Sequence, residues 1–274
     1  MKKILSFLSV VAMAAAVVVS CGEKNNPNTP GDQPGGSTDD PVEEDLITID
    51  GKFDDWAKLT EVSTTSWVEA NAEWHQGDNQ RIDALKTLKV AADGSYIYLY
   101  VECDMTVEYQ GGVDWEGKVL GKAFAGPIDI YIDADANETT GGIYWAWVPL
   151  GWEYLIEAAT CFSNEGPIAD AATYLFTGED QTDIWQVNPP AREDISRDGL
   201  FNGISVKDGN IMKVEIALIR AFLPKIKGTK INIGVLAQST NWTLHGLLPQ
   251  IAQTGATLGE NTCGLLSVTL PVAD

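Results

Sequence analysis

Residues 95–103 read SYIYLYVEC, and this stretch decides the fold class. Its tyrosines alternate with isoleucine, leucine and valine, so the two sets of side chains lie on opposite faces of one strand. Residues 85–90, LKTLKV, form a second strand candidate, and Asp93 and Gly94 between the two are typical of a hairpin turn. The stretch therefore predicts an antiparallel pair of strands with a buried face.

Short apolar runs recur through the rest of the chain, separated by Gly, Asn, Asp and Pro. The further strand candidates are residues 128–132, 143–148, 152–158, 172–176, 212–218, 231–237 and 265–270. Residues 218–226 could form one short helix, which Pro224 would end. Many strands with little helix predict an all-β domain, either a sandwich or a barrel.

The first residues have the pattern of an export signal. Two lysines precede an apolar run that ends at residue 19. Residues 18–21, VVSC, resemble the lipobox of bacterial lipoproteins, in which the chain is cut before the cysteine and the sulfur is acylated. We therefore expect residues 1–20 to be a lipoprotein signal peptide and Cys21 to carry lipid, with acyl chains such as palmitate. An ordinary secretory signal, cut after an Ala-x-Ala-like site, is the alternative.

An acylated Cys21 would anchor the chain to a membrane, since each buried methylene contributes about 0.8 kcal/mol. Gly22, rather than Asp, follows the cysteine. This favours the outer membrane, and we expect the cell surface rather than the periplasmic face. Residues 21–45 are rich in Pro, Gly and acids and predict a flexible linker, and residues 46–274 predict the folded domain.

Composition limits the partners. The formal net charge is −21, so the surface repels nucleic acid and anionic headgroups but is compatible with neutral glycans and with cations. Beyond the lipobox the cysteines are Cys103, Cys161 and Cys263. At most one disulfide can form among three, and buried free thiols are the alternative.

Five motifs occur in an order that indicates a family. They are IDGKFDDW at residues 49–56, DGSYIYLYV at 93–101, IDIYIDAD at 128–135, KVEIAL at 213–218 and INIGV at 231–235. This order resembles the family 9 carbohydrate-binding modules and the wider DOMON-like β-sandwiches. The resemblance implies a single antiparallel β-sandwich with loop insertions and at most one or two short helices. Residues 60–81 and 163–201 depart from a minimal module.

The resemblance also implies glycan binding, and the chain has nine tryptophans whose rings could pack on sugars. Trp74 and Trp115 lie in polar surroundings that predict loops, which often carry binding residues. The candidate carbohydrate-binding residues are Trp74, Trp115, Trp145, Trp147, Trp152 and Trp242. Burial in the β core is the alternative for each, and it is the expectation for Trp56.

Asp133, Asp135 and Asn137 form a D-x-D-x-N pattern that could hold a structural calcium ion. Counted from Asp133, the sixth residue is Glu138 and the twelfth is Tyr144, so this is no EF-hand. An acidic hairpin loop without metal is the alternative. We expect no cofactor to be required.

Catalytic motifs are absent from the sequence. His75 and His245 are its two histidines, and no Cys-x-x-Cys, Gly-x-Ser-x-Gly or phosphate-binding loop occurs. We therefore expect no enzyme, but a lipid-anchored protein that captures polysaccharide or oligosaccharide for a polysaccharide-utilisation system, beside an outer-membrane glycan importer. The alternatives are an adhesin or fimbria-like structural lipoprotein and a lipid-anchored glycoside hydrolase.

Overall fold

A computed structural model describes residues 45–67, 83–106, 127–144, 147–158, 161–162, 165–168, 171–184, 187, 189–238, 244–250 and 264–272, with residues 147–150 described by backbone only. The predicted signal peptide, Cys21 and nearly all of the predicted linker lie outside these ranges. Glu44–Asp274 is one compact unit. Across the described ranges, no helix has the length and apolar character needed to cross a membrane.

Fifteen strands can be assigned in the described ranges. In chain order they are β1 (Ser63–Ser66), β2 (Leu85–Ala92), β3 (Tyr96–Asp104), β4 (Ile128–Asp133), β5 (Gly142–Tyr144), β6 (Trp147–Trp152), β7 (Tyr154–Ala158), β8 (Gly166–Ile168), β9 (Ala171–Phe176), β10 (Arg192–Asp194), β11 (Phe201–Asp208), β12 (Ile211–Ile219), β13 (Lys230–Gln238), β14 (Leu244–Leu248) and β15 (Leu266–Thr269). One sheet has the order β1-β2-β3-β12-β11-β8. The other has the order β10-β9-β7-β4-β13-β14, with β15 also paired to β13. Strands β5 and β6 form a separate hairpin.

The main core lies between the two large sheets. Ile130 on β4 and Leu99 on β3 come from different sheets and are both fully buried in the same apolar cluster. Burying such a side chain contributes about 1.5–3 kcal/mol. Neighbouring strands are antiparallel throughout both sheets. The predicted antiparallel β-sandwich is confirmed.

Contacts at one side of the sandwich join the two sheets. Asp83, just before β2, makes an isolated bridge with Gly246 of β14, and the Ala84 amide donates to the His245 carbonyl at 3.0 Å. Farther along, the Ser63 hydroxyl donates to the Ser267 carbonyl at 2.8 Å. These links hold the first and last strands of the domain together.

An N-terminal segment, residues 46–62, covers the outer face of the six-stranded sheet. A short 3-10 turn at Asp54–Ala57 places Trp56 against that face. Trp56 is 5% exposed and packs with Tyr98 and Tyr100 in an apolar cluster. The expectation that Trp56 is a core residue is confirmed.

Three sequence predictions need correction or narrowing. Residues 143–148 do not form one strand, because Tyr144 of β5 pairs with Trp147 of β6 across a hairpin. The helix expected at residues 218–226 is reduced to a 3-10 turn at Arg220–Phe222. The possible disulfide is narrowed as well. Cys103 and Cys161 are free and buried, so they are not joined to each other. Cys263 lies outside the described ranges.

Candidate functional site

The predicted sugar-contacting tryptophans are only partly covered by the structure. Trp74, Trp115, Trp145 and Trp242 lie outside the described residues. Trp147 begins β6, where only the backbone is described. For these five residues sugar contact stays a prediction.

Trp152 is a core residue in this structure. Its side chain is fully buried and meets Tyr131 and Phe176 edge-on, with ring centroids 5.5 Å and 5.4 Å away. Gly142 lies opposite it in the hairpin and leaves room for the indole, since a Cβ there would stand 2.8 Å from Trp152 Cε2. A ring enclosed in this way offers no face to a glycan, which corrects the expectation for Trp152.

The β5–β6 hairpin is anchored on the outer face of the seven-stranded sheet, the face that points away from the main core. Tyr144 stacks on Tyr131 at 5.3 Å with an interplanar angle of 30°. The Ile143 amide donates to the Thr182 carbonyl at 3.1 Å. Both rings belong to a second apolar cluster, distinct from the core between the sheets. The base of the hairpin is therefore fixed by packed aromatic rings.

Four polar or aromatic side chains form a row on this outer face, which we call the carboxylate face. They are Asp129 on β4, Glu157 on β7, Tyr174 on β9 and Arg192 on β10. Asp129 lies directly opposite Glu157 in the β4–β7 register, and such pairs have Cβ atoms about 4.5–5.5 Å apart. The strand order thus brings together residues that are up to 63 positions apart in the chain.

The Glu157 carboxylate interacts with the side chains of Arg192 and Tyr174. Arg192 Nη1 lies 4.0 Å from Glu157 Oε2, and the guanidinium stands 4.0 Å over the Tyr174 ring. The Tyr174 hydroxyl donates to the Glu157 carboxylate. Burial raises the pKa of Glu157, and the Arg192 charge opposes that rise. Arg192 and Glu157 retain 22% and 13% side-chain exposure, so this end of the row reaches solvent.

Asp129 has no such support. It is 2% exposed, and no hydrogen-bond donor among the described residues reaches its Oδ1. Burial, and then the Glu157 charge, raise the pKa of Asp129 well above its ordinary value. On the adjacent strand β13, Gln238 Oε1 is also buried without a donor. Leu236 pairs with Asp129, so Gln238 is a diagonal neighbour on the same face, about 7–8 Å away.

Two buried acceptors on one face, with no donor among the described residues, can each accept a hydrogen bond from a bound molecule or a water. Leaving a buried polar group unsatisfied costs about 1–3 kcal/mol, so native proteins rarely do it without a functional reason. Sequence analysis missed this site because residues 128–133, IDIYID, read as an alternating strand whose polar side faces water. The aspartate between two isoleucines was the available signal.

A second acidic group lies at the other end of β4. Asp133 and Asp135, both predicted as metal ligands, lie with Glu153 so that one carboxylate oxygen of each falls within 4.8 Å of the others. The predicted third ligand, Asn137, uses its side-chain oxygen to accept from the Thr139 hydroxyl at 2.8 Å. Glu153 takes its place in the cluster.

Glu153 joins the cluster through strand pairing. Its amide donates to the Ile132 carbonyl at 2.9 Å, which continues the pairing beside Asp133. The Ala134 amide in turn donates to Glu153 Oε2 at 2.6 Å. This proximity is a tertiary effect, and the only cue in the sequence is a glutamate placed between Trp152 and Tyr154 in an apolar run.

The cluster has the chemistry of a hard-cation site. Burial raises the pKa of Asp133 to about 6 and that of Glu153 to about 7. Among the described residues no lysine, arginine or histidine forms an ion pair with Asp133, Asp135 or Glu153. Calcium prefers several carboxylate and carbonyl oxygens in a flexible arrangement. The three residues therefore fit a calcium ion.

The loop that carries the cluster, residues 133–141, packs directly on the base of the hairpin. Gly151 has φ +61°, and a Cβ there would stand 2.7 Å from the Asn137 carbonyl oxygen. The Gln181 side-chain amide donates to the Glu138 carbonyl at 2.9 Å and holds the loop from the other side. The acidic loop and the hairpin thus form one packed assembly.

Comparisons with known proteins give structural likeness only. No protein-family model matches the chain, and no curated protein matches it. It is similar to a solved family 9 carbohydrate-binding module from Caldicellulosiruptor kristjanssonii in complex with cellotriose, at 10% identity and a TM-score of 0.39, over 83% of this chain and 91% of that chain. A glucose complex of such a module from the same organism gives 11% identity and a TM-score of 0.39, over 83% and 93%.

Proposed function

We propose that this chain is a non-catalytic glycan-binding protein whose ligand is held at the carboxylate face. The observation that carries the proposal is the buried Asp129 carboxyl, whose Oδ1 has no donor in the part of the chain that the structure describes. Half-buried Tyr174 and Arg192 lie two strands or more away at the open end of the same row. A few convergent polar groups beside an aromatic ring are what a sugar site requires.

We also propose that tryptophans outside the carboxylate face contact the glycan. Trp147 belongs to a hairpin whose base is fixed against the same outer face. Rigid elements that present aromatic rings make good platforms for sugar C–H faces. Trp74, Trp115, Trp145 and Trp242 remain the other proposed contacts.

Affinity electrophoresis on a panel of neutral polysaccharides, followed by calorimetry with glucose and cellotriose, tests glycan binding. We expect retardation by at least one polysaccharide, lost in Trp74→Ala or Trp115→Ala and weakened in Tyr174→Ala. Tyr96→Ala is a matched control, because Tyr96 is also half-buried but lies on the other sheet. No retardation by any glycan would contradict the proposal.

The same samples separate the competing functions. Release of reducing sugar from a retarding polysaccharide would favour a lipid-anchored glycoside hydrolase. Polymers that form as protein concentration rises would favour an adhesin or fimbria-like role. We expect neither, since the chain is proposed to capture glycan for a polysaccharide-utilisation system beside an outer-membrane importer.

Lipid anchoring at Cys21 is part of the proposal and has its own test. Cys21→Ala should move the protein from the membrane fraction to the soluble fraction and leave glycan affinity unchanged. Cys263→Ala is the matched control and should stay with the membrane. Protease treatment of intact cells then distinguishes the proposed cell-surface location from the periplasmic face, where the domain would be protected.

A structural calcium ion held by Asp133, Asp135 and Glu153 completes the proposal. Bound there, calcium would offset the negative charges of buried Asp133 and Glu153 and of exposed Asp135, and would fix the loop against the hairpin. Calorimetric titration with calcium should show binding that Asp133→Asn abolishes. Asp208→Asn is the control, because that carboxylate is exposed and forms an ion pair with Lys213. Equal heats in all three proteins would contradict a site in this loop.

A further inference from the structure

The carboxylate face has two acidic side chains and one basic side chain. Asp129 and Glu157 supply two carboxyl groups, and Arg192 supplies one guanidinium, which already faces Glu157. Among the described residues no cation forms an ion pair with Asp129. An uncompensated buried carboxylate costs several kcal/mol, so a ligand that brings positive charge gains more here than a neutral one.

The unsatisfied groups also specify the geometry of the ligand. Asp129 Oδ1 and Gln238 Oε1 are both buried acceptors without a donor among the described residues, and the two residues are diagonal neighbours on adjacent strands. A primary ammonium has three N–H donors on one atom, so it can donate to more than one acceptor. A hydroxyl has one donor and can satisfy only one of them.

The net charge of the chain also favours a ligand that carries positive charge. A chain with a formal net charge of −21 concentrates cations near its surface and repels anions. At the open end of the row the Arg192 guanidinium lies 4.0 Å over the Tyr174 ring, so a positive charge is already present there. The ammonium would therefore lie inward and the uncharged part of the sugar outward.

We propose that the carboxylate face selects glycans that carry a free primary amine, with the ammonium held by Asp129 and Gln238. This inference rests on the proposed glycan-binding function and names the class of sugar that the same site prefers. Uronic acids and sulfated sugars are excluded from the site, because they would add negative charge beside two carboxyl groups. Recognition at this site then depends on the amine and not on the number of hydroxyls.

Three β-1,4-linked tetrasaccharides that differ only at carbon 2 provide the sharpest test. The first carries a hydroxyl (cellotetraose), the second an acetamido group and the third a free amine. Calorimetry with the full chain in detergent should show that the amino sugar binds at least about tenfold more tightly than either of the others. In Asp129→Asn, which keeps the shape of the side chain, the three affinities should fall within about twofold of one another.

Control variants separate site binding from general charge attraction. Asp208→Asn removes one exposed carboxylate and should keep the full amine preference. Gln238→Leu removes the second acceptor and should reduce the preference even if Asp129→Asn folds poorly. An amine preference that persists in both Asp129→Asn and Gln238→Leu would mean non-specific attraction and would overturn the inference.

The outcomes also distinguish this inference from the function on which it rests. Equal or tighter binding of cellotetraose would overturn amine selection while leaving glycan binding intact. Failure of all three tetrasaccharides, together with no retardation by any polysaccharide, would overturn both.

Discussion

Trp56 donates its indole N–H to Glu215 Oε1 at 2.9 Å, although 159 residues separate the two in the chain. Glu215 Oε2 accepts from the Gly51 amide at 3.2 Å, so one carboxylate holds both ends of the N-terminal turn. Glu215 is fully buried on β12. The Glu215 carboxylate thus helps to hold the N-terminal segment on the outer face of the six-stranded sheet, together with the packing of Trp56 on Tyr98 and Tyr100.

Removing either partner of this pair should destabilise the domain. Glu215→Gln replaces one acceptor oxygen by an amide donor, so a buried N–H loses its partner, and we expect a loss of about 1–3 kcal/mol in the free energy of unfolding. Trp56→Phe keeps most of the buried ring but loses the donor, with a similar expected cost. Urea unfolding of the two single variants and the double variant measures the coupling. Because the residues share one bond, the double variant should lose less than the sum, and strict additivity would contradict the pairing.

Gly151 and Gly199 give a matched pair of backbone substitutions. Both have positive φ, +61° and +82°, but a Cβ on Gly199 meets nothing within 4 Å. A Cβ on Gly151 would stand 2.7 Å from the Asn137 carbonyl oxygen and 2.8 Å from that of Thr140. Gly199→Ala should therefore cost only the left-handed strain, about 1–2 kcal/mol, and Gly151→Ala clearly more, at least about 3 kcal/mol. Urea unfolding compares the two, and equal losses would show that the acidic loop is free to move away from the hairpin.

Strands with strong alternation and β-branched or aromatic residues could be predicted from the sequence. Residues 95–103 fall almost wholly within β3, and residues 231–237 fall within β13. Strands β8 and β10, GPI and RED, are three residues long and carry no apolar period. They exist because neighbouring strands offer them pairing partners, which is a tertiary effect that a local pattern does not contain.

The residues of the candidate sites were harder to predict, because side chains on the outer face of the seven-stranded sheet are buried instead of facing water. On β4 the alternation correctly places Ile130 inward, but it suggests that Asp129 and Tyr131 face water. Both are buried in the structure. Glu153 lies near Asp133 because β4 pairs with the β6–β7 connection. The spacing of the two residues in the sequence does not predict this contact. Asp133 and Asp135 were predictable, since neighbouring acids in a Gly-ended loop are a local signal.

Calcium should stabilise the domain if the acidic loop binds it. A ligand that binds only the folded state raises the free energy of unfolding by about 2.7 kcal/mol at one hundred times its dissociation constant. We expect the melting temperature to rise with added calcium in the wild type and in Asp208→Asn, and to stay constant in Asp133→Asn. Magnesium at the same concentration is a second control, because it demands a stricter octahedral geometry. A rise that also occurs in Asp133→Asn would place the calcium elsewhere.

The pH dependence of stability should report the buried Asp129 carboxyl. Its surroundings are Glu157 on β7, Arg192 on β10 beyond Glu157, and Tyr131 on its own strand, with burial as the main cause of its raised pKa. Between the ordinary value of 3.8 and the higher pKa of the folded chain, the folded state keeps a proton that the unfolded state has lost. The stabilisation is therefore fully present below the lower value and falls as the pH rises, by about 1.4 kcal/mol per pH unit across that window.

Asp129→Asn removes this titration without changing the size of the side chain. The variant should match the wild type at about pH 4 and become the more stable of the two as the pH rises to about 8. Urea unfolding at a series of pH values measures the difference, and Asp208→Asn, altered at an exposed carboxylate, should show no such growing advantage. A constant difference between Asp129→Asn and the wild type at all pH values would mean that the carboxyl ionises normally in the folded chain. A growing difference would show that the domain retains a destabilising acid at the carboxylate face, as expected of a group kept for binding rather than for folding.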